Sequence, residues 1–125
     1  VFNTHLDHVS EEARIKGIGV VLDKIAQFGS LPAMIMGDFN VEEDTETYRS
    51  ATENFLDVKY QTKDPIKSCT YQNWGKRLDD DCIDYIMISK PGFRVNSYNV
   101  VRTTYDGVYP SDHFPITASL TLTQG

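Results

Sequence analysis

The chain carries polar side chains at the ends of four apolar runs, and their types suit one another chemically. His5 closes the run that begins Val1, Phe2, Asn3, Thr4, and Asp38 and Asn40 follow the run Ala33 to Met36 within the tetrapeptide GDFN. Asp84 interrupts IDYIMI, and Asp112 and His113 lie side by side between a Pro-Ser turn and the Phe-Pro start of the last apolar stretch. Catalytic groups held on a rigid scaffold favour such strand-to-loop junctions. Taken singly, several have a plainer account: a surface imidazole for His5, turn formers for Asp38, Asn40 and Asp112. Asp84 is different. In an extended chain it shares a face with Cys82, Ile86 and Ile88, so its carboxylate is partly desolvated and needs a donor. His113 is the suitable partner, because an Asp that fixes an imidazole's tautomer makes it a directed base.

Together these groups suit phosphoester hydrolysis, which needs a divalent cation on hard oxygens, a base for water and donors for phosphoryl oxygens. Asp38, Asn40 and Asp112 offer the oxygens, His113 with Asp84 offers the base, and His5 can donate a proton.

The elements that must hold these groups can be read from periodicity. Val1 to Leu6 reads as a strand. Ser10 is a good N-cap, with Glu11 and Glu12 suited to the positive end of a helix dipole. Ile15, Ile18, Leu22 and Ile25, flanked by Val21 and Phe28, give a helix face running to Gly29. Leu31 to Met36 reads as a strand buried on both faces, and Thr45 to Glu53 as a short helix. Leu56 to Lys67 is polar and irregular. The remainder is β-like: strands over Cys69 to Asn73, Ile83 to Ser89, Phe93 to Thr103 and Phe114 to Thr123, with Pro91 and Gly92 marking a turn. This order is a mixed α/β layer.

At 125 residues the chain has the size of about one domain. Its net charge of -6, from 18 acidic against 12 basic residues, argues against a general polyanion-binding surface. Apolar runs such as Gly19 to Leu22 are far too short to cross a membrane, so no span is expected. Cys69 and Cys82 are too few for a disulfide framework and read as packed thiols.

Read in order, NTHLDH, GDFN, IDYIMIS and SDHFPI resemble the second half of the endonuclease/exonuclease/phosphatase superfamily. That family includes DNase I-like nucleases, exonuclease III-like apurinic endonucleases, inositol polyphosphate 5-phosphatases and neutral sphingomyelinases. The likeness runs from Val1 to about Leu122. It implies half of a DNase I-like four-layer α/β sandwich: one mixed, mostly antiparallel sheet with flanking helices, forming a single partial domain over residues 1–125. It also implies roles. His5 would contact the scissile phosphate or act as general acid, while Asp38 and Asn40 would orient water and phosphate. Asp84 would hold and polarise His113, and Asp112, with Asp38 close by, would bind Mg²⁺ or Mn²⁺. The family's first half supplies an Asn and a Glu, the latter a principal metal ligand, and nothing in this chain matches them. Alone, the chain is expected to bind metal weakly, turn over poorly and expose an apolar face, unless the missing N-terminal half or a second chain covers it.

NTHLDHVSEEAR and TYQNWG are most similar to small bacterial members, which makes a soluble bacterial protein, cytoplasmic or secreted, the expectation. His8, Arg14 and Trp74 are candidate substrate contacts, with a surface role for His8 and Arg14 and loop packing for Trp74 as the alternatives. The substrate would be a phosphoester, either nucleic acid or a small phosphorylated molecule. Two other readings stay open: a non-catalytic interaction or folding module derived from the domain, and a zinc-binding protein using His5, His8, His113 and Cys82.

Overall fold

The computed structural model describes residues 1–123, so the last two residues of the expected 1–125 domain lie outside the described residues. The first strand, β1 (Phe2–His5), runs parallel to β2 (Met34–Asp38), and the helix α1 (Glu11–Ala26) makes the crossover between them. Ser10 caps α1 by accepting from the Ala13 N–H, and Glu11 and Glu12 occupy the first turn. Ile18 and Ile25 are buried beneath the helix. It stops at Ala26, short of the expected Gly29, because Gly29 turns left-handed at φ 70°. Phe28 is thereby placed off the helix face, edge-on to Phe2 with ring centroids 5.8 Å apart.

Beyond β2, Thr45 caps the short helix α2 (Glu46–Thr52). The strand β3 (Phe55–Asp57) and a 3-10 turn (Val58–Gln61) follow, in a stretch whose polarity had suggested no regular structure. Phe55 and Val58 are buried and carry that segment into the core. The strand β4 (Asp84–Ser89) pairs antiparallel with both β2 and β3, giving one four-stranded sheet of order β1-β2-β4-β3.

The expected mixed, mostly antiparallel sheet with flanking helices is present, but it does not take in every strand. β5 (Phe93–Val100) and β6 (Ile116–Leu122) pair only with each other and form a separate two-stranded sheet. Ile116, Ala118 and Leu120 alternate with exposed Thr117 and Ser119, as the period of a strand requires, and pack towards the larger sheet. The expected strand from Cys69 to Asn73 is also absent. Tyr71 makes one isolated bridge to His113, and Asn73, Trp74 and Gly75 all take positive φ, which no strand allows.

The four-stranded sheet is therefore packed on two faces. On one, α1 and α2 cover a core built around Ile18, Ile35, Phe39, Ala51 and Met87. On the other, Ile86, Ile88 and Val58 meet Tyr98 and the β5–β6 pair. Each fully buried large side chain such as Ile35 contributes roughly 1.5–3 kcal/mol. The second face is incompletely covered: Met34, Met36, Ile116, Ala118 and Leu120 stay half-exposed and line an open apolar notch of about 470 Å³. Among the described residues no helix is long and apolar enough to cross a membrane.

Candidate functional site

Strand register brings the polar tips together. His5 pairs with Asp38 across β1 and β2, and Asp38 pairs with Asp84 across β2 and β4, so the three stand in one row at one end of the sheet. Gly37, just before Asp38, makes the close approach possible. It sits at φ 141°, and a Cβ there would run into the Thr4 carbonyl.

After Asp38 the chain turns sharply. Asn40 is left-handed at φ 53°, its N–H donates to Asp38 Oδ1 at 2.8 Å, and its Nδ2 donates to the Leu6 carbonyl at 2.7 Å. Asn40 thus ties the end of β2 to the end of β1 and holds one oxygen of Asp38. The other, Oδ2, faces two imidazoles: His5 Nε2 at 3.4 Å and His113 Nε2 at 3.7 Å.

His113 arrives from the loop before β6. Its N–H donates to Ser111 Oγ at 3.1 Å, and the next amide, Phe114, donates to the Thr70 carbonyl at 2.6 Å. Its Nδ1 lies 2.8 Å from Asp84 Oδ2, so Asp84 fixes the ring and turns Nε2 towards Asp38. Thr70 braces the other partner: its Oγ1 accepts from the N–H groups of Ile83 and Asp84 at 3.0 and 3.1 Å. Burial pushes the Asp84 carboxyl above its ordinary value, outweighing the His113 hydrogen bond that pulls it down. For His113, burial acts to lower the pKa, but the bond to Asp84 and the charges of Asp84, Asp38 and Asp112 outweigh it and raise it. Each group therefore holds a proton more firmly than it would in open water, Asp84 through burial and His113 through its acidic neighbours.

These residues open onto a cleft of about 740 Å³, lined by His5, Asp38, Asn40, Asp84 and His113. His8, Tyr71 and Asp112 complete its wall. Two candidates lie elsewhere. Arg14 donates from Nη1 to the Asp7 carbonyl at 3.1 Å, its Nε is buried without a partner, and it does not line the cleft. Trp74 is 56 % exposed on its left-handed turn and is likewise outside the lining.

The donor set fits a hard divalent cation. One ligand atom each from Asp38, Asp84 and His113 lie within 4.8 Å of one another, two of them carboxylate oxygens. Asp112 is on the cleft wall but outside this trio, where Asp84 stands instead. A zinc site using Cys82 does not form. Its Sγ is packed in the core and lies 2.9 Å from the Asp84 carbonyl, away from the imidazoles.

Thr70, Tyr71 and Gln72 were not singled out by sequence reasoning. They run through the site as a brace: Thr70 on the β4 tip, Tyr71 with its ring 5.2 Å from that of His113, and Gln72 on Asp112. The signal available was only that TYQ precedes IDYI, which says nothing of contact.

Known proteins resemble this chain in sequence and fold. A model of the Endonuclease/Exonuclease/phosphatase family matches residues 2–113. Human nocturnin is 27% identical over an alignment of 118 residues that covers 82% of this chain and 27% of nocturnin. A functionally unknown conserved protein from Enterococcus faecalis V583 is 32% identical with a TM-score of 0.81, covering 96% of this chain and 48% of that one. A mannosyl-6-phosphatase from Bacteroides thetaiotaomicron VPI-5482 is 27% identical, also with a TM-score of 0.81, covering 96% and 50%. This chain therefore spans about half the length of those two solved relatives and little more than a quarter of nocturnin.

Proposed function

The chain belongs to the endonuclease/exonuclease/phosphatase family, and we propose on that footing that it is the C-terminal half of a divalent-metal-dependent phosphoester hydrolase. The observation that supports this best is the convergence of His5, Asp38, Asp84 and His113 on one cleft, with His113 Nδ1 held 2.8 Å from Asp84. His113 is the base: Asp84 holds Nδ1, and Nε2 is left to take a proton from water. His5, with its side chain 74% exposed, meets the phosphoryl group or returns a proton to the leaving oxygen. Asp38 and Asn40 orient water and phosphate. Asp38 with Asp84, and Asp112 beside them, would hold Mg²⁺ or Mn²⁺; when bound, such an ion lowers the pKa of water and neutralises phosphoryl charge.

The substrate is a phosphorylated small molecule or a nucleic-acid end. A net charge of -6 disfavours a long duplex, whose binding needs many cationic contacts. His8 on the cleft wall contacts the substrate, and Trp74 and Arg14 act from outside the lining. The apolar notch at Met34, Met36 and Leu120 takes the other half of the fold, from the same or another polypeptide. A soluble bacterial protein remains our proposal for its setting.

The test is hydrolysis of bis-p-nitrophenyl phosphate and p-nitrophenyl phosphate with Mg²⁺, by the chain alone and joined to its N-terminal half. Activity should be weak alone, strong when joined, and lost with His113→Ala or Asp112→Ala while the fold persists. Unchanged turnover in His113→Ala would remove the assignment.

A further inference from the structure

Gln72 does not line the cleft, yet it is 0% exposed in a loop, where a glutamine has little reason to be buried. Each of its polar atoms is engaged. Nε2 donates to the Ser111 carbonyl at 2.6 Å, and Oε1 accepts from the Gly75 N–H at 2.8 Å. Its backbone N–H donates to the Asp112 carbonyl at 2.9 Å, and its carbonyl accepts from Arg77 N–H at 2.9 Å. The Asn73 N–H shares the Asp112 carbonyl at 3.1 Å. The carboxamide therefore bridges two segments far apart in sequence: the tip carrying Asp112 and His113, and the turn carrying Trp74.

That turn needs holding. Asn73, Trp74 and Gly75 take φ of 50°, 57° and 84° in succession, a conformation that a tryptophan adopts only when its surroundings impose it. Tyr109 closes against Gly75 from the same loop that leads to Asp112, and a Cβ on Gly75 would strike its ring. Tyr109 in turn lies 6.0 Å from the Phe114 ring, next to His113.

We infer that Gln72 is a positioning residue: its carboxamide fastens the Ser111–His113 tip to the Trp74 turn, so that imidazole and exposed indole are carried by one body. An aromatic or sugar portion of a substrate resting on Trp74 is then registered at the distance set for His113. This rests on the hydrolase reading for its purpose, but not for its test.

In the folded chain, amide hydrogen exchange should give Gln72, Asn73, Gly75 and Phe114 one shared opening free energy, since the bonds of Gln72, Asn73 and Phe114 cross the junction and that of Gly75 goes to the carboxamide that spans it. Free exchange at Gly75 while the other three stay protected overturns the proposal. Gln72→Met keeps the bulk and removes both carboxamide bonds. It should leave the circular dichroism of the chain unchanged, make Trp74, the sole tryptophan, more quenchable by acrylamide, and weaken Mn²⁺ binding by about tenfold or more. The Mn²⁺ is counted by the paramagnetic resonance of the free ion. Wild-type quenching and wild-type Mn²⁺ affinity in a folded Gln72→Met overturn it as well. Should Gln72→Met not fold, the exchange pattern of the unaltered chain decides alone. Should the unaltered chain take no Mn²⁺, the metal reading falls, and exchange and quenching still decide whether Gln72 fastens the two segments.

Discussion

Two of the charged clusters among the described residues, one around Lys59 and one in the cleft, are built in opposite ways. Around Lys59 the charged groups are spent on one another, and Lys59 and Asp57 are buried. Lys59 is 2% exposed, its Nζ pairs with Glu43 and lies 3.9 Å from Asp57, and Asp57 also accepts from the Tyr48 hydroxyl at 2.9 Å. Tyr60 donates to the same Glu43. In the cleft, by contrast, Asp38 Oδ2 stands 3.4 and 3.7 Å from two imidazole nitrogens, too far for good hydrogen bonds, with open space in front. Both clusters shift pKa values. Burial raises Asp57 as it raises Asp84, and it helps push Tyr60 up to about 12. A shifted pKa therefore does not mark a site by itself. What separates the two is whether donor atoms remain unused and face water. Lys59 locks the 3-10 turn against α2 and its preceding loop; His5, Asp38 and His113 keep polar atoms facing the open cleft.

The sharpest way to break this contrast is at Lys59. Lys59→Ala leaves Asp57 and Glu43 without their cation and should cost about 3–5 kcal/mol of stability, read from urea unfolding. If it costs nothing, the cluster is not structural. Asp84→Asn probes the cleft and should do the reverse: unfolding midpoint nearly kept, Mn²⁺ affinity down about 10–100-fold by titration calorimetry. A large stability loss with intact Mn²⁺ binding would merge the two classes.

A pH series sharpens the same point. His113 has a raised pKa in the folded chain, so its protonated form adds stability that is fully present below 6.5 and fades as pH rises through the raised value. Asp84, also raised, favours the protonated side at the acid end. Metal-free unfolding between about pH 5 and pH 9 should therefore show stability falling with pH, and His113→Gln should flatten that fall. The smallest effect is expected at His8, an exposed cleft residue. In the joined enzyme, His8→Ala should raise KM by only a few-fold, on the order of 1 kcal/mol, with kcat kept.

The fold and the site were legible in unequal measure, for physical reasons. Apolar periodicity exposed β1, α1, β2 and β4, because those elements bury one face or both within a short window. The polar groups ending them were visible for the same reason. The separation of β5 and β6 into a second sheet was not, since alternation gives a strand's face and not its neighbour. The buried Lys59 was unreadable too: in VKYQ it looks solvated, and only Glu43 and Asp57 make its burial tolerable. Gln72 was hidden likewise, because its partners Ser111 and Asp112 lie far along the chain. Asp84 was the favourable case. Its place on a face with Cys82, Ile86 and Ile88 demands a partner, and His113 is that partner at 2.8 Å.

The pairing of His5 with Asp38 and of Asp38 with Asp84 makes the backbone itself the ruler of the cleft. Adjacent strands are spaced about 4.8 Å apart, and side chains alternate faces at every residue. Slippage of β2 by one position would send Asp38 to the helix-covered side and bring Gly37 or Phe39 to the opening. Insertions within these strands should therefore erase the cleft outright, whereas insertions in the loop between β5 and β6, upstream of Ser111, should only change how far the wall extends. Evolution or a designer can vary what approaches this row, but not the spacing on which it is printed.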